Sequence, residues 1–176
     1  MIRSNDKVGI FGGSFDPPHK GHLEISKIAI KKLSLAKLYW CVTKKNPFKN
    51  KTLFSLPERI KQSKDIAKGV KKIEIKSFDN KIRSINTIDL IKYLKKKNKK
   101  NSFFLIIGSD NLINFHKWKE WEILSKLTEI VVFSRKDYDI KAKKSVILKK
   151  VKKIIFIKNK QINISSTEIK KSYLNS

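Results

Sequence analysis

The sequence predicts an α/β domain built on a parallel sheet, and three observations predict it. Short apolar runs alternate with longer amphipathic ones along the 176 residues. The run "FFLIIG" (103–108) is almost wholly apolar, as a central parallel strand covered on both faces must be. The first apolar run ends in paired glycines, and a helical pattern begins a few residues later.

The elements follow in order. "KVGIFG" (7–12) reads as the first strand. "GHLEISKIAIKKL" (21–33) places Leu23, Ile25, Ile28, Ile30 and Leu33 near helical spacing. "KLYWCVT" (37–43) is the second strand, and 44–54 form a basic loop. Ser55 and Glu58 have capping-box spacing, opening a helix to about Lys68. "KKIEIKSF" (71–78) alternates as a strand, and Asn86 or Thr87 caps "IDLIKYLKKK". After the strand at 103–108, "DNLINFHKWKEWEIL" (110–124) reads as helical. "EIVVFS" (129–134) and "KKIIFIK" (152–158) are the last strands, and "SSTEIKKSYL" (165–174) is a capped final helix. There is no internal repeat or Pro/Gly/Ser linker, so a single domain over 1–176 is expected.

Composition sets the remaining bounds. No apolar run approaches the length of a membrane span. The first residues lack the apolar region of a secretory signal, and lone Cys41 allows no intrachain disulfide; a cytoplasmic protein is expected. Cys41 sits in "LYWCVT" and is expected to pack in the core. The formal charge is +27, but only four of the 42 basic residues are arginine. Lysine, isoleucine and asparagine are all abundant, as AT-rich coding would give. Scattered lysines read as a solvated surface with a general attraction for anions, nucleotides included. A non-catalytic basic module that binds nucleic acid is the rival from another class. It rests on charge alone and would show steep salt dependence without turnover. The oligomeric state is left open, a homo-oligomer included.

The chemistry concentrates in "GGSFDPPHKGH" (12–22). Glycines at the strand end let backbone N–H groups approach an anion. The helix entered near His19 and His22 offers free N–H groups and a positive dipole end. Residues three apart share a helix face, so both imidazoles can meet an anion at the helix mouth. The stretch is neither a P-loop nor G-x-G-x-x-G, and Thr43-Lys44-Lys45 after the second strand offers no acid for a ribose. A zinc pair lacks ligands beyond Asp16, and no metal is assigned. No Ser/His/Asp or Cys/His set points to a covalent intermediate. Phosphoryl or nucleotidyl transfer remains, in which a protein mainly positions reactants and neutralises charge.

This stretch resembles the "GG(S/T)FDP-x-H-x-GH" signature of bacterial nicotinate-nucleotide adenylyltransferases, members of the H/T-x-G-H nucleotidyltransferase superfamily. "ISSTEIK" (164–170) is similar to their "ISST-x-IR", with Lys170 in place of arginine. "IIGSDNLINFHKWKEWEIL" (106–124) is similar to their "G-x-D-x-L" and "W-x-x-(W/Y/F)" segments. "SINTIDLI" (84–91) matches "SYT-x-DTL" at Thr87 and Asp89, and "NPFK" (46–49) loosely matches "PPHK". The resemblance implies a Rossmann-like, doubly wound, three-layer α/β/α fold and transfer of AMP from ATP to nicotinate mononucleotide, releasing pyrophosphate. It implies His19 and His22 as catalytic residues. For ATP it implies Gly12, Gly13, Ser14, Phe15, Gly21, Gly108, Asp110, Ile164, Ser165, Ser166, Thr167 and Lys170. For the mononucleotide it implies Lys44, Lys49, Thr87, Trp118 stacked on the nicotinate ring, and Lys119 meeting its carboxylate through backbone. Mg²⁺ would ride mainly on the ATP phosphates. Trp121, three residues on, is expected to pack on a helix face. Phosphopantetheine and nicotinamide mononucleotide are the alternative acceptors. The phosphopantetheine enzymes would have threonine at position 19.

Overall fold

The computed structural model describes residues 6–44, 52–151 and 153–159. β1 (Lys7–Gly13) leads into α1 (Lys20–Lys32), β2 (Lys37–Val42), α2 (Leu56–Ala67) and β3 (Ile73–Lys76). A short α3 (Asp79–Ile82) precedes α4 (Thr87–Lys97), β4 (Ser102–Gly108) and α5 (Ser109–Ile113). Then come a 3-10 turn (Phe115–Lys117), α6 (Trp121–Leu127), β5 (Glu129–Phe133), α7 (Asp139–Ala142), a second 3-10 turn (Val146–Lys149) and β6 (Ile154–Ile157). The expected strands are all present with ends shifted by one to two residues. The final helix expected at 165–174 lies outside the described residues.

The six strands form one parallel sheet in the order β3-β2-β1-β4-β5-β6. The chain winds one way from β1 and the other way from β4. The crevice between their carboxyl ends is therefore the topological switch point, where ligands bind in open α/β sheets.

Period-two alternation divides the core cleanly between the faces. Leu38, Trp40, Val42, Phe104, Ile106, Val131 and Phe133 pack with Ala29, Leu35 and Ala67, from α1, α2 and the turn after α1. Val8, Ile10, Tyr39, Cys41, Leu105, Ile107, Ile130 and Val132 pack with Ile88, Ile91, Leu94, Leu112 and Leu124 on the opposite face. Gly9 at mid-strand has a packing reason: a Cβ there would come within 2.7 Å of Leu35 Cδ1. The turn after α1 can thus lie directly on β1. Cys41 is buried as expected, and burial, aided by the charge of Asp79, pushes its thiol far up in pKa. That leaves it inert as a nucleophile.

Two expectations need correction. The helical reading of 110–124 gives way to α5, a 3-10 turn and α6, with 118–120 as a break between them. Asn86 occupies the N-cap of α4, but its side chain makes no capping bond, and Thr87 is the first helical residue. No helix among the described residues is long and apolar enough to cross a membrane.

Candidate active site

The turn from β1 to α1 is held from beneath by aromatic packing. Phe15 is non-glycine yet left-handed at φ 46°, a conformation that costs of order 1 kcal/mol and persists only where its surroundings impose it. Its ring is buried and stacks on Trp40 at 5.0 Å and 12°, with the His22 ring 4.9 Å away. The Trp40 indole N–H donates to Ser26 Oγ at 2.7 Å, and Ser26 donates in turn to the His22 carbonyl at 2.8 Å. A stacked, hydrogen-bonded platform thus sets the first turn of α1. Above it, Gly12 has open space where a Cβ would point.

His19 is the N-cap of α1 and His22 its N3 residue, and together they form a capping box made of imidazoles. Gly21 N–H donates to His19 Nδ1 and His19 N–H to His22 Nδ1, both at 3.1 Å. The ring centroids lie 3.8 Å apart. A nitrogen that accepts a backbone N–H carries no proton of its own. In the neutral rings the proton is therefore on Nε2, which makes each Nε2 a donor. No acidic residue occupies the first turn of α1, so no carboxylate of that turn offsets the positive helix end. The arrangement can hold a polyanion and stabilise charge building on its oxygens.

Across the crevice, β4 ends at Gly108. β1 and β4 are last bridged at Phe11 and Ile106, so two residues further on Gly13 and Gly108 flank the switch point. The Asp110 carboxylate pairs with the Arg135 guanidinium at 2.8 Å. The pair crosses over Gly108, where a Cβ would overlap Asp110 Oδ1 and lie 3.1 Å from Arg135 Cδ. The Arg135 N–H donates to Ser109 Oγ at 3.0 Å and Asp139 Oδ1 at 3.1 Å. Burial opposes the ionised form of Asp139, but the bonds from Ser109 and Arg135 outweigh it and hold the carboxyl below its usual range.

Sequence reasoning missed the staple between β1 and β2. The Arg59 side chain from α2 is buried and donates to four carbonyls. They are Ser14, Thr43 at 2.8 Å, Lys44 at 3.2 Å and Phe54 at 3.0 Å. Burial lowers its pKa, opposed by the charges of Asp16 and Asp79. Asp16 accepts the N–H groups of Leu53 and Phe54 at 2.8 and 3.0 Å, and Asp79 accepts that of Lys44 at 2.6 Å. Lys44 thus sits in a fixed backbone at the exit of β2. The available signal was rarity: arginine stands at only four positions in a lysine-rich chain.

The break at 118–120 contains Trp118 and Lys119, which the resemblance led one to expect at the acceptor. Trp118 is half-buried, its ring 5.1 Å from Phe115 and outside both flanking helices. Trp121 packs edge-on to Phe115 at 6.5 Å, with Lys150 over its face at 5.6 Å. The two tryptophans therefore do not share one helix face. The N–H groups of Lys119 and Glu120 donate to no acceptor among the described residues. Thr87 opens α4, whose Asp89 bonds Lys119 Nζ at 3.2 Å. Gly12, Gly13, Ser14, Phe15, His19, Gly21 and His22 share the β1–α1 turn; Gly108 and Asp110 lie at the carboxyl end of the adjacent strand. Lys49, Ile164, Ser165, Ser166, Thr167 and Lys170 lie outside the described residues.

A switch-point crevice with imidazole donors at a helix mouth is the site of a nucleotidyltransferase-like α/β protein. The chain belongs to the cytidylyltransferase-like family, whose model matches residues 10–172, and within it to the nicotinate-nucleotide adenylyltransferases. It is 48% identical over 173 residues to a probable nicotinate-nucleotide adenylyltransferase of Pelagibacter ubique, covering 97% of this chain and 96% of that one. It is 39% identical over 129 residues to another from Rhizobium etli, covering 73% of this chain and 67% of that one. A solved nicotinic acid mononucleotide adenylyltransferase of Plasmodium falciparum, complexed with APC, has the same fold. The TM-score is 0.76 at 23% identity, over 95% of this chain and 83% of that one.

Proposed function

We propose that the chain transfers the adenylyl group of ATP to nicotinate mononucleotide, giving nicotinate adenine dinucleotide and pyrophosphate, in the cytoplasm. The observation that carries this reading is the imidazole capping box at the switch point. It fixes two Nε2 donors beside the positive end of α1. A relative that aligns with 97% of this chain has the same assignment by name.

In this reading ATP lies across the mouth of β1 and α1. A phosphate oxygen of the mononucleotide attacks the α-phosphorus in line. The new O–P bond forms as the bond from the α-phosphorus to the bridging oxygen breaks, and the electron pair leaves with pyrophosphate. His19 and His22 donate to phosphate oxygens as charge builds there. No side chain is needed as a nucleophile, and the transfer is one displacement. The pyridine ring stacks on Trp118, and its carboxylate meets the N–H groups at 119 and 120.

Mg²⁺ fits as a companion of the ATP phosphates, whose charge it neutralises. At the mouth, Asp16 accepts the N–H groups at 53 and 54, and Asp110 pairs with Arg135 through Oδ2.

The test is pyrophosphate release with ATP and each acceptor in turn: nicotinate mononucleotide, nicotinamide mononucleotide and phosphopantetheine. Preferred turnover of the nicotinate compound is expected. Preferred turnover of either other acceptor would overturn the assignment.

A further inference from the structure

The segment proposed to read the nicotinate ring has no regular structure of its own. Trp118 is extended at φ −75° and ψ 144°, and Glu120 is left-handed at φ 49° and ψ 40°. A non-glycine residue holds that conformation only where its neighbours impose it. Hydrogen bonds pin the carbonyls: Trp121 N–H donates to Trp118 at 3.2 Å and Leu124 N–H to Glu120 at 2.9 Å. Among the described residues, nothing accepts from the N–H groups of 119 and 120.

The side chains of the same two residues are both held by α4. Asp89 Oδ2 lies 3.2 Å from Lys119 Nζ, and Lys92 Nζ lies 2.5 Å from Glu120 Oε2. Residues 89 and 92 are three apart and share a helix face, so one face of α4 grips two successive residues of the break. Asp89 is the better-placed anchor. Ser84 Oγ donates to the same Oδ2 at 2.7 Å, and Asp89 sits in the first turn of α4, where a negative charge is favoured. Burial alone would raise its carboxyl, but the bonds from Ser84 and Lys119 and the Lys119 charge outweigh burial and hold it below the usual carboxylate range.

The geometry points to Asp89 as a positioning residue that fixes the segment 118–120 for recognition of the acceptor and sharpens the choice of acid over amide. This rests on the functional reading above. Recognition of a carboxylate by two backbone N–H groups depends on their direction, and a neutral amide gains less from the same groups. Asp89 also neutralises Lys119, so a loose ammonium does not attract anions indiscriminately. With the tether cut, the N–H pair loses its aim and the preference for the acid narrows.

The experiment compares wild type with Asp89→Asn, Asp89→Glu, Lys119→Met and the double variant Asp89→Asn/Lys119→Met. Steady-state kinetics with ATP and either pyridine mononucleotide are paired with amide hydrogen exchange over 118–121. Asp89→Asn is expected to raise the KM for nicotinate mononucleotide about ten-fold. The KM for ATP should stay within about two-fold, preference over the nicotinamide compound should fall, and exchange at 118–121 should quicken. Asp89→Glu should recover most of the loss. Lys119→Met should repeat part of the Asp89→Asn effect, and the double variant should be little worse than Asp89→Asn. Additive effects, or equal rises in both KM values, would overturn the positioning role. Unchanged exchange at 118–121 in Asp89→Asn overturns the tether itself. Quickened exchange in a protein that turns over neither mononucleotide, wild type included, overturns the functional reading instead.

Discussion

His22 does two jobs that a single substitution separates by size. Its Nδ1 accepts the His19 N–H, so His22→Ala leaves that donor unsatisfied at the start of α1. A lost cap costs about 1 kcal/mol, which lowers the melting temperature of a chain this long by about 2–4 °C. Its Nε2 donor is proposed to stabilise charge on the transferring phosphate, and losing such a donor lowers kcat about 10²–10³-fold. The chain contains its own control. Ser55 and Glu58 form a second capping box at the start of α2, with no imidazole in it. Ser55→Ala should lower the melting temperature by a similar few degrees and leave kcat within about three-fold. The assay is pyrophosphate release at saturating ATP and nicotinate mononucleotide, well below both melting temperatures. An unchanged kcat in His22→Ala refutes the donor role. A Ser55→Ala variant as slow as His22→Ala refutes the separation, because a lost cap would then be enough.

Arg59→Lys keeps the charge but cannot reach four carbonyls at once; the unpaired carbonyls should cost about 2–3 kcal/mol, read as a fall in denaturation midpoint without change in m. Gly108→Ala drives a Cβ into Asp110 Oδ1; it should part the Asp110–Arg135 pair and cost about 1–3 kcal/mol, read in the same titration. The carboxyls of Glu74, Asp89 and Asp139 are held below their usual range when folded, so their contribution is present above the unfolded values and is lost as pH falls through the folded ones. The melting temperature should be level from about pH 6 to 8 and fall below about pH 5. At the alkaline end burial, with the charges of Glu74 and Cys41, raises Tyr39 to about 12, so stability present below pH 10 should decline from there towards pH 12.

The sheet was legible because each strand writes its own signature. "FFLIIG" is apolar on both faces, and β4 is indeed covered on both. The strands fall at the expected places because burial alternates residue by residue, a local property. The break at 118–120 was not legible, because Trp118 and Trp121 at helical spacing satisfy a continuous helix equally well. What interrupts the helix is a left-handed Glu120 held by α4, and residues about thirty positions away leave no trace in a local pattern. The imidazoles show the same division. Their spacing announced a shared face, but not that each would cap the helix and so fix its own proton on Nε2.

Arginine usage separates the site from the rest of the surface. A coding bias towards lysine erodes arginine wherever a point charge is enough. Four arginines remain beside 38 lysines, and two of them flank the crevice, Arg59 with a geometry that a lysine cannot copy. Arg59 spreads a planar fork over carbonyls from three segments, joining the β1–α1 turn to the exit of β2. Arg135 reaches Asp110 across Gly108, at the other wall of the crevice. Lysines are scattered along the whole chain, whereas these two guanidinium groups brace the β1–α1 turn and the carboxyl end of β4, on either side of the crevice. The charge of the chain as a whole is therefore a poor guide to its site, and the sparse cation is the better one.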